Sequence, residues 1–168
     1  IGENGAGKST LLKILAGIEL PTAGTLWLDG QEARFGSARD ASAQGISIIH
    51  QELQLFPDLT VAENLFVGRE RRTRWGTIRF DEQESAASRV LATLGQTLSP
   101  RARLGTLPLG QQQIVEIARA LVHDTRVLLM DEPTSALGAA EIPRLFQVIR
   151  DLTRQGVSVV YISHRLEE

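Results

Sequence analysis

The chain has 168 residues, of which 42% are hydrophobic and 23% charged, and these proportions suit one globular domain with a core of its own. Its net charge of −2 provides no overall field that would attract nucleic acid or anionic lipid. The absence of cysteine excludes a disulfide framework and a cysteine-built metal site, and no apolar run approaches the ~18 residues of a membrane-spanning helix.

A glycine-rich loop opens the chain. Gly2, Gly7, Lys8 and Ser9 fit the pattern G-x-x-x-x-G-K-[ST], in which glycines allow consecutive backbone N–H groups to curl around phosphate. We expect Lys8 to reach the β- and γ-phosphates of a nucleotide and the Ser9 hydroxyl to bind Mg²⁺. A plain glycine-rich turn is the alternative. The predicted phosphate site consists of Gly2, Glu3, Asn4, Gly5, Ala6, Gly7, Lys8, Ser9 and Thr10.

Helical patterns alternate with short apolar strands along the rest of the chain. The sequence predicts helices over 9–16, 36–44, 81–94, 110–122 and 142–153, and strands over 25–28, 46–49, 126–130 and 157–162. The residues Thr60-Val61-Ala62-Glu63 have the spacing of a capping box, which predicts that another helix begins there. This alternation is typical of an α/β fold with a mainly parallel, buried sheet flanked by helices.

Polar residues follow the predicted strands at their carboxyl ends, where ligands of parallel sheets bind. Asp131 ends an apolar strand and is predicted to hold Mg²⁺ opposite Ser9, although an aspartate there could simply cap the next turn. Glu132 is placed to orient or deprotonate an attacking water. His164 follows the last strand and is a candidate γ-phosphate donor, with a structural hydrogen bond as the alternative. Gln51 lies at the end of a neighbouring strand.

An arginine-rich stretch covers residues 69–79 and lies beside Trp75 and Phe80. Basic residues among aromatics are able to bind single-stranded nucleic acid. A solvated loop between two helices is the simpler interpretation, because charge runs are common on surfaces. The slightly negative net charge favours the second interpretation, so no nucleic-acid partner is expected.

The chain begins one residue before the phosphate loop, where a core strand normally precedes it. We therefore expect that this first strand is missing and that the sequence is a fragment. Because the loop would lack its anchor, the 168 residues alone are expected to be inactive.

Several motifs together resemble an ATP-binding-cassette ATPase. They occur in the family's order and cover nearly the whole chain: the phosphate loop, Gln51, the segment 107–111, Asp131-Glu132, the segment 135–138 and His164. Four segments are similar in sequence to the sugar-importer branch of this family: residues 49–52, 59–64, 110–113 and 161–165. The ATPase subunits of that branch carry two cassettes in one chain.

The resemblance implies a P-loop NTPase-type sheet with an inserted helical subdomain. The core would comprise about residues 1–52 and 121–168 and the helical subdomain about residues 53–120, with the first strand and the C-terminal tail of the cassette outside the chain. It also implies that Gln51 senses the γ-phosphate beside Mg²⁺, with Gln51, Glu132 and His164 as catalytic residues and Ser9, Gln51 and Asp131 around the metal.

The same resemblance implies the ligands, the partners and the location of the protein. The ligands would be ATP and Mg²⁺, and ATP hydrolysis would drive uptake of a monosaccharide or related polyol. The partners would be membrane-spanning permease subunits, a periplasmic or extracellular solute-binding protein and a second cassette of the same chain. The protein would be peripheral, on the cytoplasmic face of the plasma (inner) membrane. Soluble cassette ATPases that act on nucleic acid or ribosomes are the alternative.

Two residues depart from the family pattern. Pro108 stands where the signature segment has serine, and proline offers neither a hydroxyl nor a backbone N–H. Gly138 stands where many cassettes have aspartate. The resemblance implies that cassettes pair head to tail, so that each composite ATP site combines the phosphate loop of one cassette with the signature segment, here 107–111, of the other. In this branch the second cassette usually has an altered phosphate loop with a sound signature. Pro108 and that altered loop would then lie in the same composite site, and the other site would be complete.

Overall fold

The computed structural model describes residues 7–122 and 124–163. A single 3-10 turn, Leu104–Thr106, lies among the described elements. The helices and strands follow in the order α1 (Lys8–Leu15), β1 (Leu26–Leu28), β2 (Gln31–Ala33), α2 (Ala38–Ala43), β3 (Ile46–Ile49), α3 (Val61–Phe66), α4 (Phe80–Thr93), α5 (Leu109–Leu121), β4 (Val127–Asp131), α6 (Ile142–Arg154) and β5 (Ser158–Ile162).

The main described sheet has three parallel strands in the order β3-β4-β5. Ile46 pairs with Val127 at one end, and Asp131 pairs with Ile162 at the other. The central strand β4 is fully buried over Leu128–Met130, as expected for a parallel sheet covered on both faces. The predicted α/β class is therefore confirmed. All three strands end at the same edge, which is where the predicted site residues were placed.

The side chains of β4 alternate between two apolar cores because successive residues of a strand point to opposite faces. Leu128 and Met130 belong to a core formed with α3, α4, α5 and α6. Leu129 belongs to a smaller core with α1 and α2, where Leu12 is also fully buried. The sheet thus holds the phosphate-loop helix on one face and the α3–α5 helices on the other.

A short antiparallel hairpin, β1–β2, lies outside this sheet. Its turn uses Asp29 and Gly30, both with positive φ (50° and 76°), as a two-residue type I′ turn requires. The sequence predicted β1 but not β2. Gln31 and Glu32 are polar and exposed, so the return strand carries almost no apolar alternation by which it could be recognised.

The predicted capping box at the start of α3 is confirmed. The hydroxyl Oγ1 of Thr60 accepts from the Glu63 N–H at 3.2 Å, and the Glu63 carboxylate accepts from the Thr60 N–H at 2.8 Å. One turn later, the buried Asn64 side chain accepts from the Phe56 N–H at 2.8 Å and donates to the Phe56 carbonyl at 3.0 Å. These bonds help to fix the loop between β3 and α3, and they give the Phe56 N–H an acceptor.

The arginine-rich stretch forms a small hairpin, with Arg72 bridged to Ile78. Arg72 pairs with Glu70 at 3.3 Å, and Arg79 pairs with Glu82. Arg74 lies over the exposed Trp75 ring at 4.7 Å from the centroid. These basic side chains are engaged locally, which agrees with the interpretation of a solvated loop. No helix among residues 7–122 and 124–163 combines the length and apolarity needed to cross a membrane.

Candidate nucleotide-binding site

The start of α1 has the geometry that the glycine–lysine motif predicts. Gly7 is the N-cap residue with φ 80° and ψ 10°, a left-handed conformation that glycine adopts without strain. Lys8 is the first helical residue and is half-buried, while Ser9 and Thr10 are exposed in the first turn. A helix N-terminus presents backbone N–H groups and a positive dipole end to an anion. Gly2, Glu3, Asn4, Gly5 and Ala6 lie outside the described residues.

The two carboxylates follow one another at the end of β4. Asp131 is the last residue of the strand, and Glu132 has φ 48°, which is unusual and strained for a residue with a side chain. The Glu132 N–H donates to the Ile162 carbonyl at 2.9 Å, and the Glu132 carbonyl accepts from the Ser135 N–H at 3.0 Å. Neighbouring strand β5 therefore helps to hold this sharp turn, and such strain is typical of functional sites.

The electrostatics of Asp131 link three elements at this edge. Burial raises the pKa of the Asp131 carboxyl, and the negative charge of Glu132 raises it further. His50 and Lys8 act in the opposite direction. The pKa of Asp131 therefore responds to the phosphate-loop helix, the end of β3 and the residue after β4. Sequence analysis omitted His50, although its position directly between β3 and Gln51 was a usable signal.

Gln51 is exposed two residues beyond β3, and its own interactions remain a prediction. Three residues later, the N–H and the carbonyl of Gln54 both bond to side chains of α5. The Gln54 N–H donates to Glu116 Oε1 at 3.0 Å, and the Arg119 guanidinium donates to the Gln54 carbonyl. Glu116 is 4% exposed, and burial raises its pKa, against the opposing effects of the Gln54 N–H and Arg119. The segment after Gln51 is thus tied to α5.

The donor set suits Mg²⁺ rather than a metal held by protein alone. The described residues contain no group of three or more His, Asp or Glu that could hold a metal ion. Magnesium usually takes one or two carboxylates and completes its shell with water and phosphate oxygens. Ser9, Gln51 and Asp131 supply oxygens of the appropriate kind. His164, which was predicted to contact the γ-phosphate, lies outside the described residues. The roles of His164 and of the three metal ligands therefore stay predictions.

A parallel sheet with a glycine–lysine turn into a helix and a carboxylate pair at a neighbouring strand end defines a P-loop nucleotide-binding domain. The chain matches the family model described as "ABC transporter" over residues 1–135. It belongs to this family, and its fold is that of an ATP-binding cassette. The resemblance inferred from the sequence is confirmed.

Curated relatives extend this finding. The ribose import ATP-binding protein of Rhodopirellula baltica is 53% identical over 168 residues, which are 100% of this chain and 33% of the relative. The ribose import ATP-binding protein of Geobacillus kaustophilus is 52% identical over 169 residues, which are 100% of this chain and 34% of the relative. The chain therefore spans about one third of the length of these proteins. They do not favour the nucleic-acid alternative.

Solved structures agree with the fold. An ATP-binding cassette of an ABC transporter in its ADP conformation superposes with a TM-score of 0.84 at 27% identity, covering 99% of this chain and 69% of the other. A dimeric cassette in a post-hydrolysis state, bound to ADP and phosphate, gives a TM-score of 0.75 at 28% identity, covering 99% and 73%. Nucleotide binding is thus established for structural relatives of the chain.

Proposed function

We propose that the protein containing this chain is the ATP-hydrolysing subunit of an ABC importer, and that its transported solute is a monosaccharide or related polyol. The observation that carries the hydrolytic part of the proposal is the placement of three residues at the carboxyl edge of the sheet: Lys8 at the start of α1, Asp131 at the end of β4 and Glu132 in the sharp turn after it. The names of the ribose import relatives support the solute class.

Each residue of the site has a distinct part in the proposed reaction. Lys8 neutralises charge on the β- and γ-phosphates, and Ser9, Asp131 and Gln51 hold Mg²⁺. When bound, this ion offsets the negative charge that develops on the phosphate oxygens. Glu132 accepts a proton from the water that attacks the γ-phosphate, and His164 donates a hydrogen bond to that phosphate.

The word import in the names of the same relatives supports the partners and location that we propose. The cassette would dock on membrane-spanning permease subunits at the cytoplasmic face of the membrane, as a peripheral subunit. A solute-binding protein would deliver the sugar on the opposite side. A second cassette of the same chain would complete each ATP site, and the helical subdomain, about residues 53–120, would transmit its state to the permease.

The full-length protein, reconstituted with its permease in proteoliposomes, provides the test. ATP turnover should rise several-fold when the solute-binding protein is added together with its sugar, and it should not respond to RNA or DNA. Ribose is the first sugar to measure, followed by galactose and xylose. Turnover that responds to nucleic acid and not to any sugar-loaded binding protein would contradict the importer proposal.

Replacement of Pro108 by serine should change ATP turnover of the assembled importer by less than about twofold. We propose that the signature segment of this cassette faces a composite site that already hydrolyses slowly, while the site with Lys8, Asp131 and Glu132 carries the turnover. Restoring a hydroxyl in the slow site therefore gains little. Steady-state ATPase measurements on both proteins decide this. A many-fold rise with Pro108→Ser would mean that Pro108 limits the working site.

A further inference from the structure

The first turn of α5 lacks a side-chain cap of its own. Pro108 is the N-cap residue, with φ −55° and ψ 150°, and it makes no side-chain capping bond. Its carbonyl accepts from the N–H groups of Gln111 and Gln112 at 2.9 and 3.1 Å. The N–H of Gly110 points out of the helix start and needs an acceptor from elsewhere, because the first amides of a helix have no intrahelical partner.

Glu141 supplies this acceptor from 31 positions further along the chain. Its Oε1 accepts from the Gly110 N–H at 2.9 Å, and its Oε2 accepts from the Gly138 N–H at 3.1 Å. A Cβ added at Gly110 would lie 2.9 Å from the carboxyl carbon of Glu141. A side chain at position 110 would therefore displace the Glu141 carboxylate from this contact.

The chemistry of the contact favours a strong bond. A carboxylate that accepts from backbone N–H groups forms charge-assisted hydrogen bonds, which are stronger than neutral ones. Negative charge is also stabilised at a helix N-terminus by the helix dipole. Gly138 lies in the loop between Glu132 and α6, so one carboxylate joins the start of α5 to the loop that follows the proposed base.

We propose that Glu141 replaces the cap that Pro108 cannot provide, and that it is the residue that positions the 107–111 segment against the loop after Glu132. The proposal rests on the proposed function only where it gives the 107–111 segment a part in ATP turnover. The start of α5 stays ordered although position 108 is proline and not the serine of the family pattern, because Glu141 accepts from the Gly110 N–H.

Hydrogen exchange of the full-length protein tests the proposal without requiring ATP turnover. Glu141→Ala should raise the exchange rate of the Gly110 amide about tenfold, as expected for the loss of one hydrogen bond to a charged group. Pro108→Ser in the same protein should return the rate to near the parental value, because a serine hydroxyl at the N-cap accepts from the same first-turn amides. Pro108 is exposed and already extended, so serine fits there without strain.

A carboxylate on α6 provides the matched control. The Asp151 carboxylate bonds only within its own helix in the described structure, to Gln147 at 3.0 Å and to Arg154 at 2.6 Å. Asp151→Ala should leave the Gly110 amide unchanged. Should Glu141→Ala fail to fold, Glu141→Gln tests the same point when both amides are followed, because its NH2 group cannot accept from whichever of Gly110 and Gly138 it faces. The proposal would be overturned by unchanged Gly110 exchange in Glu141→Ala, by unchanged exchange of both Gly110 and Gly138 in Glu141→Gln, or by failure of Pro108→Ser to restore protection.

Discussion

Glu132→Gln in the full-length protein is expected to lower ATP turnover by about 10²–10⁴-fold, the usual contribution of a general base. Nucleotide affinity should stay within about twofold of the parental value, because the amide keeps the shape of the side chain and Lys8 still faces the phosphates. The measurement is steady-state hydrolysis in the assembled importer, with equilibrium binding of ATP measured on the same preparation.

Asp124→Asn is the matched control for this variant. Asp124 is also an acidic residue with positive φ, 52°, and it precedes β4 at the end opposite to Asp131. Its amide variant should hydrolyse ATP at the parental rate. If Glu132→Gln also hydrolyses ATP at that rate, the assignment of Glu132 as the base is wrong.

Lys8→Ala should weaken ATP binding by about 10²-fold or more and should abolish turnover at ordinary ATP concentrations. The lysine is expected to bond both the β- and the γ-phosphate, and hydrogen bonds to charged groups contribute about 1.5–3 kcal/mol each. Equilibrium binding of ATP, followed by calorimetry on the full-length protein, measures the loss.

The chain's only other lysine gives the comparison. Lys13 lies in the last turn of the same helix, half-exposed and paired with Glu19 at 3.1 Å. Lys13→Ala removes the same charge at the opposite end of α1 and should leave affinity for ATP unchanged, because exposed surface pairs contribute little. Equal losses in the two variants would show that the effect is not local to the phosphate site.

Local patterns were sufficient to predict most helices and strands. The α5 prediction, 110–122, agrees with the observed Leu109–Leu121, because Ile114, Val115 and Ile117 are buried at helical spacing. The capping box at Thr60 was predictable because all its partners lie within four residues. Asp131 was predictable because an apolar strand ends in a carboxylate.

Features that depend on distant parts of the chain were not predictable in this way. The bond from Gly110 to Glu141 joins residues 31 positions apart, and the bond from Gln54 to Glu116 joins residues 62 apart. Neither pair has a local pattern, since both depend on how α5 packs. The positive φ of Glu132 is similarly set by its bond to β5. The contacts that orient the candidate site residues therefore had no signal in the sequence, whereas the candidates themselves follow local motifs.

The attachment of the segment after Gln51 to α5 has a consequence for how the protein can vary. Glu116 and Arg119 bind the peptide groups of Gln54, its N–H and its carbonyl, and leave its exposed side chain out of the contact. Nearly any amino acid at position 54 preserves this link. Proline alone removes the N–H that it needs. The side chain exposed at position 54, close to Gln51 in the chain, can therefore differ between relatives and suit different neighbours. The backbone contact between this segment and α5 stays the same.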